Sequence, residues 1–123
     1  MILRFDFSSD VPIYLQLRNQ IVIGIAEGKL QSGEKLPTVR ALAEESGINV
    51  MTVSKAYNLL KQEGYITTDR RKGAVVTAKT ASAAVKSETM DTLRLCISEL
   101  RLSGISKAEI TALLDSIYEE AVL

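Results

Sequence analysis

The stretch L-P-T-V-R-A-L-A-E-E-S-G-I-N-V-M-T-V-S-K-A-Y-N-L-L-K-Q, Leu36 to Gln62, decides the fold. Thr38 is placed to N-cap a short helix, because its hydroxyl can accept an otherwise unpaired N–H of the first turn. Gly47 is placed to end that helix, because glycine enters the left-handed conformation that a helix C-terminus often takes. Two residues later Asn49 can cap a second helix, so only a short turn separates the two. This spacing predicts a helix-turn-helix, whose second helix enters the major groove of DNA.

The second helix has two faces. Val53, Ala56, Tyr57 and Leu60 recur at i, i+3, i+4, i+7 and predict a buried stripe. At 3.6 residues per turn the opposite face carries Met51, Lys55, Asn58 and Gln62, with Ser54 at its margin. Amide and ammonium donors facing outward suit groove readout. The same pattern fits any solvated surface helix, and the residues C-terminal to it decide between the two. Gly64 ends the helix, and the β-branched runs Y-I-T-T (Tyr65–Thr68) and A-V-V-T (Ala74–Thr77) predict two strands. Between them D-R-R-K-G forms a five-residue turn with three consecutive cations and a closing glycine. In isolation Arg70, Arg71 and Lys72 are a solvated charged turn. Beside a recognition helix they form the basic tip of a winged helix, suited to phosphate or minor-groove contacts.

Toward the N-terminus, Ile13, Leu17, Ile21 and Ile25, joined by Tyr14, give a helix with a buried stripe. It is expected to begin around Asp10–Pro12 with Asp10 as its cap, Pro12 being tolerated in the first turn. Residues 1–9 alternate apolar and polar and predict an extended arm against the body. Gly28 ends the helix, and a loop runs to Pro37, with a short ordered piece expected at Lys29–Leu30.

Toward the C-terminus, Ala78–Ser87 is small and polar and reads as a linker or a frayed helix start. Met90, Leu93, Ile97 and Leu100 then mark a helix that stops near Ser103-Gly104. Ser106 and Glu109 form a capping box for a last helix with the stripe Ile110, Leu113, Leu114 and Ile117. Two striped helices with little sequence left to cover them predict a second copy as their partner, as in two-fold homodimers. The expected organisation is a DNA-binding domain over 1–78 and a helical dimerisation tail over 79–123.

Composition sets bounds. The 123 residues are 46% hydrophobic and 24% charged, as in a globular protein, and allow one domain plus a small appendage. The formal net charge of zero conceals segregation. From Lys29 to Lys79 nine cations face five anions, a balance of +4, whereas from Thr80 onward the balance is −3 and the first 28 residues add −1. A basic module is therefore joined to an acidic tail. No run is long and apolar enough to span a membrane, and no cleavable leader is evident, so a cytoplasmic location is expected. The chain has no histidine and a single cysteine, Cys96, expected to be a small buried hydrophobe with a redox-sensing thiol as the alternative. Without histidine, a Walker or Rossmann glycine loop, or a CxxC pair, no enzymatic activity, metal or cofactor is expected.

The runs G-K-L-Q-S-G-E-K-L-P-T-V-R-A-L-A (Gly28–Ala43), I-N-V-M-T-V-S-K-A-Y (Ile48–Tyr57), E-G-Y-I (Glu63–Ile66) and R-R-K-G (Arg70–Gly73) resemble the N-terminal DNA-binding domain of the GntR family of bacterial transcriptional regulators. The opening D-V-P-I-Y-L-Q-L (Asp10–Leu17) and the short tail resemble the YtrA subfamily. The resemblance implies a mainly α fold with a small β-hairpin wing, a winged helix-turn-helix followed by a two-helix dimerisation segment. It also implies that Arg40 reaches toward the operator. That agrees with its position, since a cation in a helix's first turn opposes the macrodipole and calls for a partner. A surface pair with Glu44 is the alternative, worth only about 0.2–0.5 kcal/mol.

Where many subfamily members resemble N-P-N-T-V-S-R-A-Y, this chain has Val50 and Met51 for the proline and second asparagine, and Lys55 for the arginine. Apolar side chains there can pack on thymine methyl groups, which implies an altered operator preference. Val50 packing on the preceding helix is an equal alternative. In the wing, Arg71 replaces the first glycine of a pattern close to R-G-K-G. The DNA-binding candidates are Thr38, Arg40, Asn49, Val50, Met51, Thr52, Ser54, Lys55, Asn58, Arg70, Arg71, Lys72 and Gly73. The dimer candidates are Met90, Leu93, Ile97, Leu100, Ile110, Leu113, Leu114 and Ile117. The expected function is a homodimeric regulator, a repressor on a pseudo-palindromic operator. A winged-helix module that binds protein and has no operator is the alternative. The sequence identifies no small-molecule effector.

Overall fold

Each capping residue of the helix-turn-helix finds its partner in the computed structural model, which describes residues 2–71, 73–77 and 85–120. The elements run α1 (Ile13–Ala26), α2 (Val39–Ser46), α3 (Val50–Gln62), β1 (Ile66–Asp69), β2 (Gly73–Val76), α4 (Ser87–Leu102) and α5 (Lys107–Glu120). They fall into two units, Met1–Lys79 and Thr80–Leu123.

In the first unit, Thr38 Oγ1 accepts the Ala41 N–H at 3.1 Å and Gly47 closes α2 at φ 68°. Asn49 Oδ1 accepts the Met51 N–H at 2.7 Å to start α3. The buried residues of α3 are Val53, Ala56, Tyr57 and Leu60, as its spacing predicts. They meet Leu17 and Ile21 of α1 and Leu42 and Ala43 of α2 in one core, closed by Leu30, Leu36, Ile66, Ala74 and Val76. β1 and β2 pair antiparallel with Ile66 opposite Val76 and Asp69 opposite Gly73.

Two sequence expectations require correction here. α1 begins at Ile13 with Pro12 as its N-cap and no side-chain cap, so Asp10 does not cap it. Instead Gln16 donates its side-chain N–H to the carbonyls of Val11 and Asp6, tying the entry to the helix from within. The strands are displaced by one residue, to Ile66–Asp69 and Gly73–Val76, because Asp69 and Gly73 form the closing pair and not part of the turn. The loop preceding α2 is held against the wing by backbone hydrogen bonds. Gly33 N–H donates to Val76 O, Val76 N–H to Glu34 O and Leu36 N–H to Ala74 O, so residues 33–36 line the free edge of β2.

The N-terminal arm is extended, as its alternation predicts. Gln20 and Gln16, one helical turn apart, each use the side-chain amide to bond both backbone groups of an arm residue, Arg4 and Asp6 respectively. Leu3 and Phe5 turn inward onto the core.

In the second unit, Gly104 (φ 86°) ends the turn after α4. Ser106 and Glu109 make the reciprocal capping box, at 3.3 and 3.2 Å. Neither helix buries any residue within the single chain. Met90, Leu93, Leu113, Leu114 and Ile117 are exposed, and Ile97, Leu100 and Ile110 are half-buried. Ile97 and Ile110 line a cleft of about 740 Å³ at the α4–α5 turn. Cys96 is exposed, contrary to the expectation of a buried hydrophobe, on a helix that buries none of its described residues. Part of the segment expected as a linker, 78–84, lies outside the described residues. No helix among the described residues is long and apolar enough to cross a membrane.

Candidate nucleic-acid interface

The outer surface of α3 is shaped by what its inner surface holds. With Val53, Ala56, Tyr57 and Leu60 in the core, Met51, Lys55 and Asn58 project to the other side, and all three are exposed. Met51 is 74% exposed and Val50 45%, so the packing alternative for Val50 removes only part of its surface. Thr52 and Ser54 are half-buried at the margins. Asn49 caps with its oxygen and keeps its side-chain N–H groups available as donors. The positive end of the α3 dipole lies at this same end and favours an anion such as phosphate.

α2 is fastened to α3 by a contact the sequence did not reveal. The Tyr57 hydroxyl donates to the Pro37 carbonyl at 2.8 Å, across 20 residues. Burial, with a smaller contribution from the Glu45 charge, pushes the Tyr57 phenol up to about 12. The phenol thus remains a donor at any physiological pH and fixes the chain just before Thr38. Thr38 and Arg40 come next in the chain, and both are exposed. Arg40 makes no ion pair or hydrogen bond with any described residue, so the surface pair with Glu44 does not form. Its charge is available to an external anion.

A second long-range contact sets the wing. Arg18 on α1 donates Nε to Glu63 Oε1 and Nη2 to Glu63 Oε2, each at 2.8 Å. The paired geometry holds the Arg18 pKa above its ordinary value, and the guanidinium lies 5.6 Å from the Tyr65 ring centroid. This clamp joins α1 to the point where α3 turns into β1. At the tip, Asp69 Oδ1 accepts the Arg71 N–H at 2.7 Å, an Asx turn that leaves both Arg70 and Arg71 exposed. Gly73 has φ 74°, a conformation that disfavours any side chain at the close of the loop. Lys72, also a predicted contact, lies outside the described residues.

The structure adds Tyr14, whose ring on α1 lies under Lys55, with Nζ 4.1 Å from its centroid. Neither this contact, Arg18–Glu63 nor Tyr57–Pro37 obeys a local spacing rule. The partners are distant in sequence and meet only after the helices pack.

Comparison with known proteins places this geometry in context. The family profile described as "Bacterial regulatory proteins, gntR family" matches residues 13–76. The transcriptional repressor YtrA of Bacillus subtilis (strain 168) is 34% identical over 106 residues, covering 84% of this chain and 82% of the relative. A crystal structure described as a transcriptional antiterminator from Listeria monocytogenes EGD-e superposes with a TM-score of 0.87 at 30% identity, over 100% of this chain and 94% of that one. The DNA-binding domain of AraR, crystallised in complex with operator ORX1, superposes with a TM-score of 0.55 at 25% identity, over 63% of this chain and 96% of that one.

Proposed function

Since this chain belongs to the GntR family of bacterial DNA-binding transcriptional regulators, we propose that it acts as a homodimeric repressor on a pseudo-palindromic operator. Residues 1–78 form the DNA-binding domain and residues 79–123 the dimerisation tail. The observation that carries this reading is the outward face of α3, with Met51, Lys55 and Asn58 exposed opposite a buried stripe, together with an exposed Arg40 that no described residue pairs.

Each DNA candidate then has a part. Arg40, Arg70, Arg71 and Lys72 neutralise phosphates or enter a groove, giving affinity that falls with salt. Thr38, Thr52 and Ser54 offer hydroxyls, and Asn49 its amide, to the backbone at the α2–α3 end. Lys55 and Asn58 face base edges, and Val50 and Met51 present apolar surface suited to thymine methyl groups. Gly73 lets the wing tip close.

The tail joins two such domains. Of the stripes of α4 and α5, Met90, Leu93, Ile97, Leu100, Ile110, Leu113, Leu114 and Ile117, no residue is fully buried among the described residues, and the cleft that Ile97 and Ile110 line has room for side chains of a second copy. Two-fold pairing would set the half-sites about 10–10.5 bp apart centre to centre, or a multiple of that. The repressor YtrA of B. subtilis supports repression as the mode of action. Work on an operator calls for a cytoplasmic location, and that work is binding, with no catalytic step.

Footprinting on a duplex recovered by selection tests this reading. The expected result is two protected patches on one face of the duplex, related by two-fold symmetry, with two chains per duplex in sedimentation. One chain on a single protected patch would overturn it.

A further inference from the structure

Lys55 does not extend from α3 without guidance. Its ammonium lies 4.1 Å from the centroid of the Tyr14 ring, well inside the roughly 6 Å at which a ring face attracts a cation. Tyr14 belongs to the first turn of α1, is half-buried, and packs against the core. α1 is itself immobilised, because Leu17 and Ile21, three and seven residues on, are fully buried. The ring is therefore a fixed platform, whereas Lys55 is an exposed side chain with a flexible four-carbon stem. Lys55 makes no ion pair or hydrogen bond with any described residue, so the ring is the contact that selects its direction.

We propose that Tyr14 is a positioning residue for sequence readout: by holding Lys55 over its ring, it confines the ammonium to one base pair of the half-site. The inference rests on the DNA-binding reading of α3. It extends that reading to a residue outside the recognition helix and the wing. A lysine is a point charge on a long stem and discriminates bases poorly when it can swing between neighbouring acceptors. Fixed from one side, it favours the acceptor pair within its reach, such as guanine O6 and N7.

The test uses the full chain and a selected operator in which each half-site position is varied in turn. Wild type is compared with Tyr14→Phe, Tyr14→Leu, Lys55→Ala and the Tyr14→Leu/Lys55→Ala double variant, each verified as folded by circular dichroism. Tyr14→Phe keeps the ring face, and its profile of base preferences is expected to match wild type. Tyr14→Leu keeps apolar packing but removes the face. Discrimination at one base pair is expected to fall about 2- to 5-fold, and in the Lys55→Ala background Tyr14→Leu should cause no further loss. An unchanged profile for Tyr14→Leu would overturn the proposal. So would an equal weakening on every duplex that persists without Lys55, which is what a purely structural tyrosine would give. Absence of any base preference in wild type would instead overturn the underlying DNA reading as well, so the two failures are distinguishable.

Discussion

Replacing Tyr57 with phenylalanine removes one oxygen and isolates the contact that fastens α2 to the recognition helix. The hydroxyl is donated to Pro37 O at 2.8 Å from a side chain that is 5% exposed. A hydrogen bond of this kind contributes about 0.5–1.5 kcal/mol net, and stranding a fully buried acceptor raises the loss to as much as ~3 kcal/mol. Pro37 is only half-buried, so water can reach its carbonyl and the expected loss is about 1–1.5 kcal/mol. At fixed protein concentration and pH 7, the urea midpoint should fall by roughly 0.5–1 M with an unchanged slope.

The pH dependence supplies a second signature. In the fold the phenol titrates at about 12 instead of its ordinary 10.0, so folding favours the neutral form. Its contribution is fully present below pH 10 and is lost as pH rises through 12. The stability gap between wild type and Tyr57→Phe should therefore narrow over that window. A midpoint unmoved at pH 7, or a gap that stays constant from about pH 9 to 12, would refute the argument.

Arg40→Ala should lower affinity for the selected operator by about 1–3 kcal/mol with the urea midpoint unchanged, measured by fluorescence anisotropy. Arg70→Gln and Arg71→Gln should each reduce the slope of log affinity against log salt by about 1 if the residue meets a phosphate, weakening all sequences to a similar degree. Glu63→Gln removes the charge paired with Arg18 and should cost about 1–2 kcal/mol in urea unfolding, below the value for a fully buried pair because Arg18 remains partly in water. Leu113→Asp should yield monomers in sedimentation and weaken operator binding, whereas a stable dimer would remove the tail from the interface.

Local chemistry made much of this fold legible. Thr38, Gly47 and Asn49 announce the helix-turn-helix because capping depends on residues only a few positions away. The buried stripe of α3 and the Ser106–Glu109 box come from the same short range. The hairpin was displaced by one residue because β-branched propensity marks a strand's centre better than its ends, and the Asp69–Gly73 pairing set the register. The start of α1 lies past the Asp10 that a capping rule selects, because Gln16, and not an acidic cap, secures the preceding backbone.

What sequence could not supply is contact between distant positions. Arg18 and Glu63 are 45 residues apart, Tyr14 and Lys55 lie on different helices, and nothing in the pattern around either pair marks the other. Cys96 shows the same limit differently. Its apolar neighbours point to burial, but burial depends on what packs over them, and α4 buries none of its described residues.

The central claim, a dimer reading an inverted repeat through α3 and basic side chains around it, is tested most directly by one experiment. Purified protein is selected against a random duplex library, and binding to the enriched sequence is then titrated with salt. The account predicts an inverted repeat with half-sites an integral number of helical turns apart, bound with an affinity that falls steeply as salt rises. Enrichment of no sequence by folded, dimeric protein, or binding indifferent to salt, would contradict it.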